Sequence, residues 1–196
     1  MLATGLPGSD PSSAAAALPR RRLIVNVLLF QAGWFACVYA AARGEPLWGT
    51  ACALVVMGWH LHVAARPARE AWLIAWVLAI GLVFDSLVLQ LGFLHYASGQ
   101  IDPRLAPHWI VALWGLFATS LNVSLRWLKG RWLLAAVLGA IAAPLSYAGG
   151  VRIGAASFID APHALITLAI GWAVLMPLLM ALSDRFDGIL PGQRHD

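Results

Sequence analysis

Six continuously apolar blocks, separated by short connectors that hold most of the Arg and Lys, leave this chain few ways to fold. The blocks run roughly over residues 23–42, 47–65, 71–94, 108–128, 132–149 and 163–183, each near the ~20 residues a helix needs to cross ~30 Å of hydrocarbon. Their apolar residues do not alternate every second position. In lipid only helices or closed barrels satisfy the backbone, so the pattern predicts an all-α, polytopic bundle of six transmembrane helices. Composition agrees: 61% of the 196 residues are hydrophobic and 11% charged, against about 45–50% and about 25% in soluble domains. Ten Trp suit a chain anchored at two lipid interfaces, where an apolar ring with one polar edge is well placed.

Alternate connectors differ sharply in charge. Arg20, Arg21, Arg22, Arg66, Arg69, Arg126, Lys129, Arg131, Arg185 and Arg194 fall on one side; only Arg43, Arg104 and Arg152 fall on the other. Such a bias places both termini of a multi-pass chain in the cytoplasm. The same distribution argues against nucleic acid, since the basic residues mark topology and form no continuous patch. Residues 1–22, rich in Ala, Ser, Pro and Gly before the Arg triplet, are expected to be a disordered cytoplasmic tail, and 184–196 a second tail. The first block resembles a leader peptide but is longer than a usual apolar leader core, so it is expected to stay as a helix. The connector from His95 to Pro107, with Gly99, Asp102 and Pro103, predicts a turn-rich external loop.

Function has to be sought in polar residues placed where hydrocarbon makes them costly. An ionisable group at mid-membrane costs about 2.5–3.5 kcal/mol on insertion scales. Asp85 is the one acid well inside a block, and helical rise puts it and Tyr147 of the fifth block at similar depth in the outer half. In the functional reading Asp85 is a general acid, base or proton carrier, with Tyr147 or Ser146 as partner and Gln90 above it. The alternative is a hydrogen-bonded clamp between helices.

A second set lies nearer the cytoplasm, Gln31, His60 and Asn122, which with Gln90 and Arg126 are the substrate-binding candidates; Arg126 stands at the membrane edge, where it is expected to reach lipid phosphate. Thr119, Asn122 and Arg126 would share one face of the fourth helix. His60 and His62, two apart, point about 200° away from each other and make a poor metal pair. No HExxH, P-loop, GxGxxG or GxSxG pattern occurs, and neither metal nor cofactor is expected. Cys37 and Cys52 lack CxxC spacing and are read as packing residues. Pro144 and Pro177 fall within helices, and Gly139 with Ala143 has the small-xxx-small spacing of close helix pairs.

The strings NVLLFQAGWFACV from Asn26, FDSLVLQLG from Phe84, LFATSLNVSLRWL from Leu116 and APLSYAGG from Ala143 resemble an uncharacterised bacterial inner-membrane family, domain-of-unknown-function family 2878. That family's fourth-helix string reads LNHSLRWL, so Val123 stands here where the resemblance implies a His. The resemblance also implies an association with membrane-lipid modification, because such genes often neighbour its members. The resulting expectation is an enzyme or accessory subunit acting on membrane lipids, with a second membrane protein as a further partner. A small proton-coupled transporter using Asp85 and a structural membrane subunit are the alternatives. Oligomeric state leaves no mark in the sequence.

Overall fold

The computed structural model describes residues 18–190. Six helices dominate: α1 (Arg20–Ala42), α2 (Pro46–His62), α3 (Pro67–Gln90), α4 (His108–Leu121), α5 (Trp132–Ile153) and α6 (Ala161–Arg185). Two short strands, β1 (Leu94–Tyr96) and β2 (Ala156–Phe158), pair antiparallel with Leu94 opposite Phe158 and Tyr96 opposite Ala156. The all-α reading thus holds for the body of the chain, with a small ladder at one end. Of the expected tails, residues 1–17 and 191–196 lie outside the described residues.

Local chemistry sets the helix ends. Pro46 and Pro67 open α2 and α3, where a missing N–H costs nothing because the first-turn donors are unpaired in any helix. Asp160 caps α6 by accepting the His163 N–H at 3.2 Å. Gly154 ends α5 at φ 101°, a left-handed conformation that glycine adopts without strain. The basic triplet Arg20–Arg22, expected to precede the first helix, forms its first turn.

Four helices, α1, α3, α5 and α6, are long and apolar enough to cross a membrane. The other two are shorter: α2 has 17 residues and α4 has 14. The fourth helix does not reach Leu128 as expected; it stops at Leu121, turns at Asn122, and resumes as a 3-10 turn over Arg126–Leu128. The reason is burial. Helix α4 is the central element, with Trp109, Trp114, Leu116, Ala118, Thr119 and Leu121 all enclosed by other helices, and at about 21 Å it is too short to span hydrocarbon alone.

Around α4 the chain forms two groups. Helices α1, α2 and α3 pack directly against it, while α5 and α6 make a hairpin that meets α3 and α4 through α6 and α1 through α5. Small residues let backbones approach: a side chain at Gly49 would strike the Cys37 backbone of α1, and one at Gly139 would strike the Trp172 carbonyl of α6. Cys37 also donates its thiol to the Gly49 carbonyl at 3.2 Å. Trp172 of α6 stacks on Trp114 of α4 with ring centroids 4.6 Å apart, joining the two groups. Helices α1 and α5 meet only sparsely, and a cleft opens between them.

Basic connectors collect at one end of the bundle. There Arg22 reaches the Val63 carbonyl at 2.9 Å and Arg66 reaches the Leu190 carbonyl at 3.0 Å. We call this the basic end, and the opposite one, with β1 and β2, the hairpin end.

Candidate functional site

Asp85 sits on the face of α3 that meets α4, and its residue is wholly inaccessible to solvent. An apolar surrounding makes an unpaired carboxylate costly, so its partners matter. It has three. Tyr147 of α5 donates to Oδ1 at 2.6 Å, Tyr96 of β1 donates to the same oxygen at 2.8 Å, and the Trp114 indole of α4 donates to Oδ2 at 2.6 Å. Four elements therefore converge on one side chain. The ladder between β1 and β2 has a clear task here, since it carries Tyr96 over the end of α3 and buries it edge-on against Trp109.

The cleft between α1 and α5 begins at this cluster. Its volume is about 690 Å³. Tyr96, Tyr147 and Trp114 form its wall at the hairpin end, Phe30 and Trp34 of α1 face Leu138 and Ala142 of α5, and Leu125 with Trp127 closes the basic end. Gln31, Ala142, Leu145 and Ser146 line it while remaining exposed, so it is open along one side. Asp85 itself lies behind the wall, reached through Tyr147 and Tyr96. Ser146 is not an Asp85 partner; its hydroxyl accepts the Trp34 indole N–H at 3.0 Å, a bridge across the cleft from α1 to α5. Trp172 also lines the cleft, and its Nε1 is buried without a hydrogen-bond partner among the described residues.

A second cluster lies at the other end of α3. A second buried acid accompanies Asp85, because α3 begins at Pro67, earlier than expected, and draws Glu70 into its first turn, where it is fully enclosed. Glu70 Oε2 meets His60 Nε2 at 2.8 Å; Oε1 accepts the Asn122 amide at 2.8 Å and the Gly188 N–H at 2.6 Å. This cluster ties α2, α3, the end of α4 and the segment after α6 together. His62, two residues on from His60, is exposed.

The candidates from the sequence thus divide. Tyr147 joins Asp85, and Gln31 lines the adjoining cleft. His60 and Asn122 belong instead to the Glu70 cluster. Gln90 stands apart from Asp85, donating to the Arg104 carbonyl at 3.2 Å, because α3 ends there and its side chain turns to the loop. Arg126 is not free to reach out: it pairs with Asp187 at 2.7 Å, and Lys129 pairs with the same carboxylate at 2.9 Å. Burial works to raise the Asp187 pKa, but hydrogen bonds from Lys129, Arg126 and the Ile189 N–H outweigh it and hold the carboxyl below its ordinary range. Asn122, expected on a helix face beside Thr119 and Arg126, is the residue at which α4 ends.

Glu70, Tyr96 and Trp114 were not among the expected site residues. Glu70 adjoins Arg69 at the edge of an apolar block and reads as an interfacial charge; Tyr96 lies in a connector; Trp114 is one of ten Trp. The one available signal was that Pro67 is a favourable first residue of a helix, which would have moved the start of α3 back past Glu70.

No curated protein and no solved structure matches the chain. A family profile does, over residues 23–178, from the second turn of α1 into the last turns of α6, across the Asp85 cluster and all of the Glu70 cluster but Gly188. The chain belongs to the family described as Protein of unknown function (DUF2878).

Proposed function

We propose that this protein is an inner-membrane enzyme, or the accessory subunit of one, that acts on a membrane lipid held in the cleft between α1 and α5. The observation that carries the reading is the contact of Tyr147 with Asp85 at 2.6 Å, where the tyrosine lines an open apolar cleft and the carboxylate is buried behind it. Such a pair can relay a proton between the cleft and the buried carboxylate, one negative charge passing the other way onto the substrate. A substrate X–H in the cleft gives its proton to the Tyr147 oxygen as Tyr147 passes its own to Asp85; the reverse sequence delivers one. Tyr96 and Trp114 keep the carboxylate oriented and supply the hydrogen bonds that offset its burial.

An aqueous substrate would meet a poor site here. The walls are Phe, Trp, Leu and Ala, with Gln31, Ser146 and the two tyrosines as the few polar groups, a proportion suited to an apolar ligand with one or two oriented polar atoms. The basic end, with both termini, is the cytoplasmic side in this reading.

Comparing the lipidome of cells lacking the gene with cells carrying it, and with cells carrying Tyr147→Phe, tests the proposal. The expected result is a lipid species lost on deletion and not restored by Tyr147→Phe; an unchanged lipidome would overturn it.

A second reading, proton-coupled transport, draws on a separate observation. Glu70 and Asp85 are both buried on α3 and lie about 22 Å apart along it, toward opposite ends of the bundle. In that case reconstituted protein moves a solute in a pH-dependent manner and Asp85→Asn abolishes the movement.

A further inference from the structure

The outer side of α6 carries a second recess, away from the cleft. Ala68, Arg69 and Trp72 at the start of α3 line it together with Arg185 and Phe186 at the end of α6. Arg185 follows Met176, a cleft residue, by nine positions, about 180° around α6, so the cleft and the recess lie on opposite sides of that helix. Its two arginines differ from the cations nearby. Arg126 and Lys129 pair with Asp187, Arg66 reaches the Leu190 carbonyl, and Arg131 lies over the Trp127 ring. Arg69 and Arg185 are exposed and have neither ion pair nor hydrogen bond among the described residues. The acids beside them in sequence are turned away: Glu70 is enclosed with His60, Asn122 and Gly188, and Asp184 pairs with Lys129 at 3.3 Å. Two positive charges therefore share one recess that no acid lines.

What lies below the recess separates a lipid from a dissolved ion. Helices α3 and α6 run antiparallel in contact, with Gly188 against Arg66 at the basic end and Gly171 against Phe84 further along. On α3, Arg69, Trp72, Trp76 and Val83 fall within about 60° of one another; on α6, Arg185, Leu178 and Val174 fall within about 40°. The apolar members of both stripes are between 49% and 67% exposed. Each stripe of exposed apolar side chains thus ends at its own arginine, with Trp72 at the level where an indole suits the boundary of oil and water. A dissolved anion would meet the arginines and leave both stripes bare. A phospholipid would cover them as well.

We infer that this recess binds the phosphodiester of an anionic phospholipid, with Arg69 and Arg185 donating to its oxygens, Trp72 beside the glycerol and the acyl chains along the two stripes. Guanidinium groups suit phosphate because their N–H forks match pairs of its oxygens. Basic recesses between membrane helices take headgroups of this kind. A zwitterionic headgroup fits poorly, since its ammonium would sit beside two guanidinium groups with no carboxylate in the lining. The site lies outside the cleft and does not depend on the chemistry proposed for Tyr147 and Asp85.

The test uses full-length protein in detergent and native mass spectrometry, with dioleoyl phosphatidylglycerol, dioleoyl phosphatidylethanolamine and inorganic phosphate as probes. Phosphatidylglycerol should be retained about 20-fold better than phosphatidylethanolamine, from about 5-fold for each basic residue beside lipid phosphate. Arg69→Gln and Arg185→Gln should each lower its retention about 5-fold and leave phosphatidylethanolamine unchanged, and the double variant should lose the preference. Arg21→Gln, at an exposed position of α1 outside the recess, should keep it. In fluorotryptophan-labelled protein the Trp72 ¹⁹F resonance, assigned from Trp72→Phe, should move with phosphatidylglycerol and not with the other two probes, a readout independent of any variant's stability. Equal retention of both lipids with an unmoved Trp72 resonance overturns the site, and so does a loss in Arg21→Gln as large as that in Arg69→Gln. If millimolar inorganic phosphate displaces phosphatidylglycerol and moves the Trp72 resonance as the lipid does, the lipid assignment is overturned in favour of a free-phosphate site.

Discussion

Tyr147 and Asp85, separated by 62 residues in sequence, share a 2.6 Å hydrogen bond that joins α5 to α3. It is one of three hydrogen bonds to that carboxylate, and the three are not equivalent. All three line the cleft, but Tyr96 and Trp114 are almost wholly enclosed, whereas Tyr147 is only partly buried. Tyr147→Phe should therefore cost only about 1 kcal/mol of stability, as Asp85 keeps two donors, yet abolish the proposed lipid activity. Trp114→Phe should show the opposite balance, with a larger loss of thermal stability, because it strips Oδ2 of its one donor among the described residues and thins the stack on Trp172. Thermal melting in detergent alongside lipidome complementation separates the two.

Glu70→Ala should be among the most destabilising single changes in the chain. It leaves the His60 imidazole, the Asn122 amide and the Gly188 N–H without their shared acceptor, and removing one member of a buried polar pair costs about 3–5 kcal/mol. Its specific signature lies after α6. Gly188 is held by Glu70 and by the Arg66 N–H at 2.8 Å, so limited proteolysis should cut the variant after Phe186 under conditions that leave the parent intact.

Gly139→Leu should separate α5 from α6. Even a Cβ at this position meets the Trp172 carbonyl and the Met176 side chain, and overpacking of this kind costs about 1–3 kcal/mol. Gly58, where an added Cβ meets nothing within 4 Å, is the control: Gly58→Ala should leave the melting temperature unchanged or raise it.

Acid should loosen the basic end first. The Asp187 carboxyl is held below its ordinary range by Lys129 and Arg126, so its contribution is complete above the unfolded value near 3.8 and disappears as pH falls through the lower folded value. Asp187→Asn should remove that part of the acid sensitivity, which melting temperatures measured between neutral and strongly acidic pH would reveal.

How much of this could be read from the chain alone depends on the length scale of the signal. The helices were legible because continuous apolar runs carry their own length, and Asp85 with Tyr147 because rise per residue places two positions at one depth. The central position of α4 was not legible. Its sequence is as apolar as those of the longer helices, and only contact with all its neighbours explains why it can stop at Leu121. The Glu70 cluster was hidden for a different reason: its members come from α2, α3, the end of α4 and the chain after α6, and each alone resembles an ordinary interfacial polar residue. Pairing of Leu94–Tyr96 with Ala156–Phe158 joins segments about 60 residues apart and leaves no local periodicity to detect.

Glu70 and Asp85 face α4 from one side of α3, about 60° apart around that helix. Each grips its shorter neighbour at a different level, Asp85 at mid-length through Trp114 and Glu70 at the C-terminal end through Asn122. The spacing works as a ruler. Inserting or deleting one residue between the two acids would rotate one of them by about 100° and shift it by about 1.5 Å, so that only one grip could close. Length variation among relatives should therefore be absent from this stretch of α3 and from α4 between Trp114 and Asn122, and collect instead in the connectors.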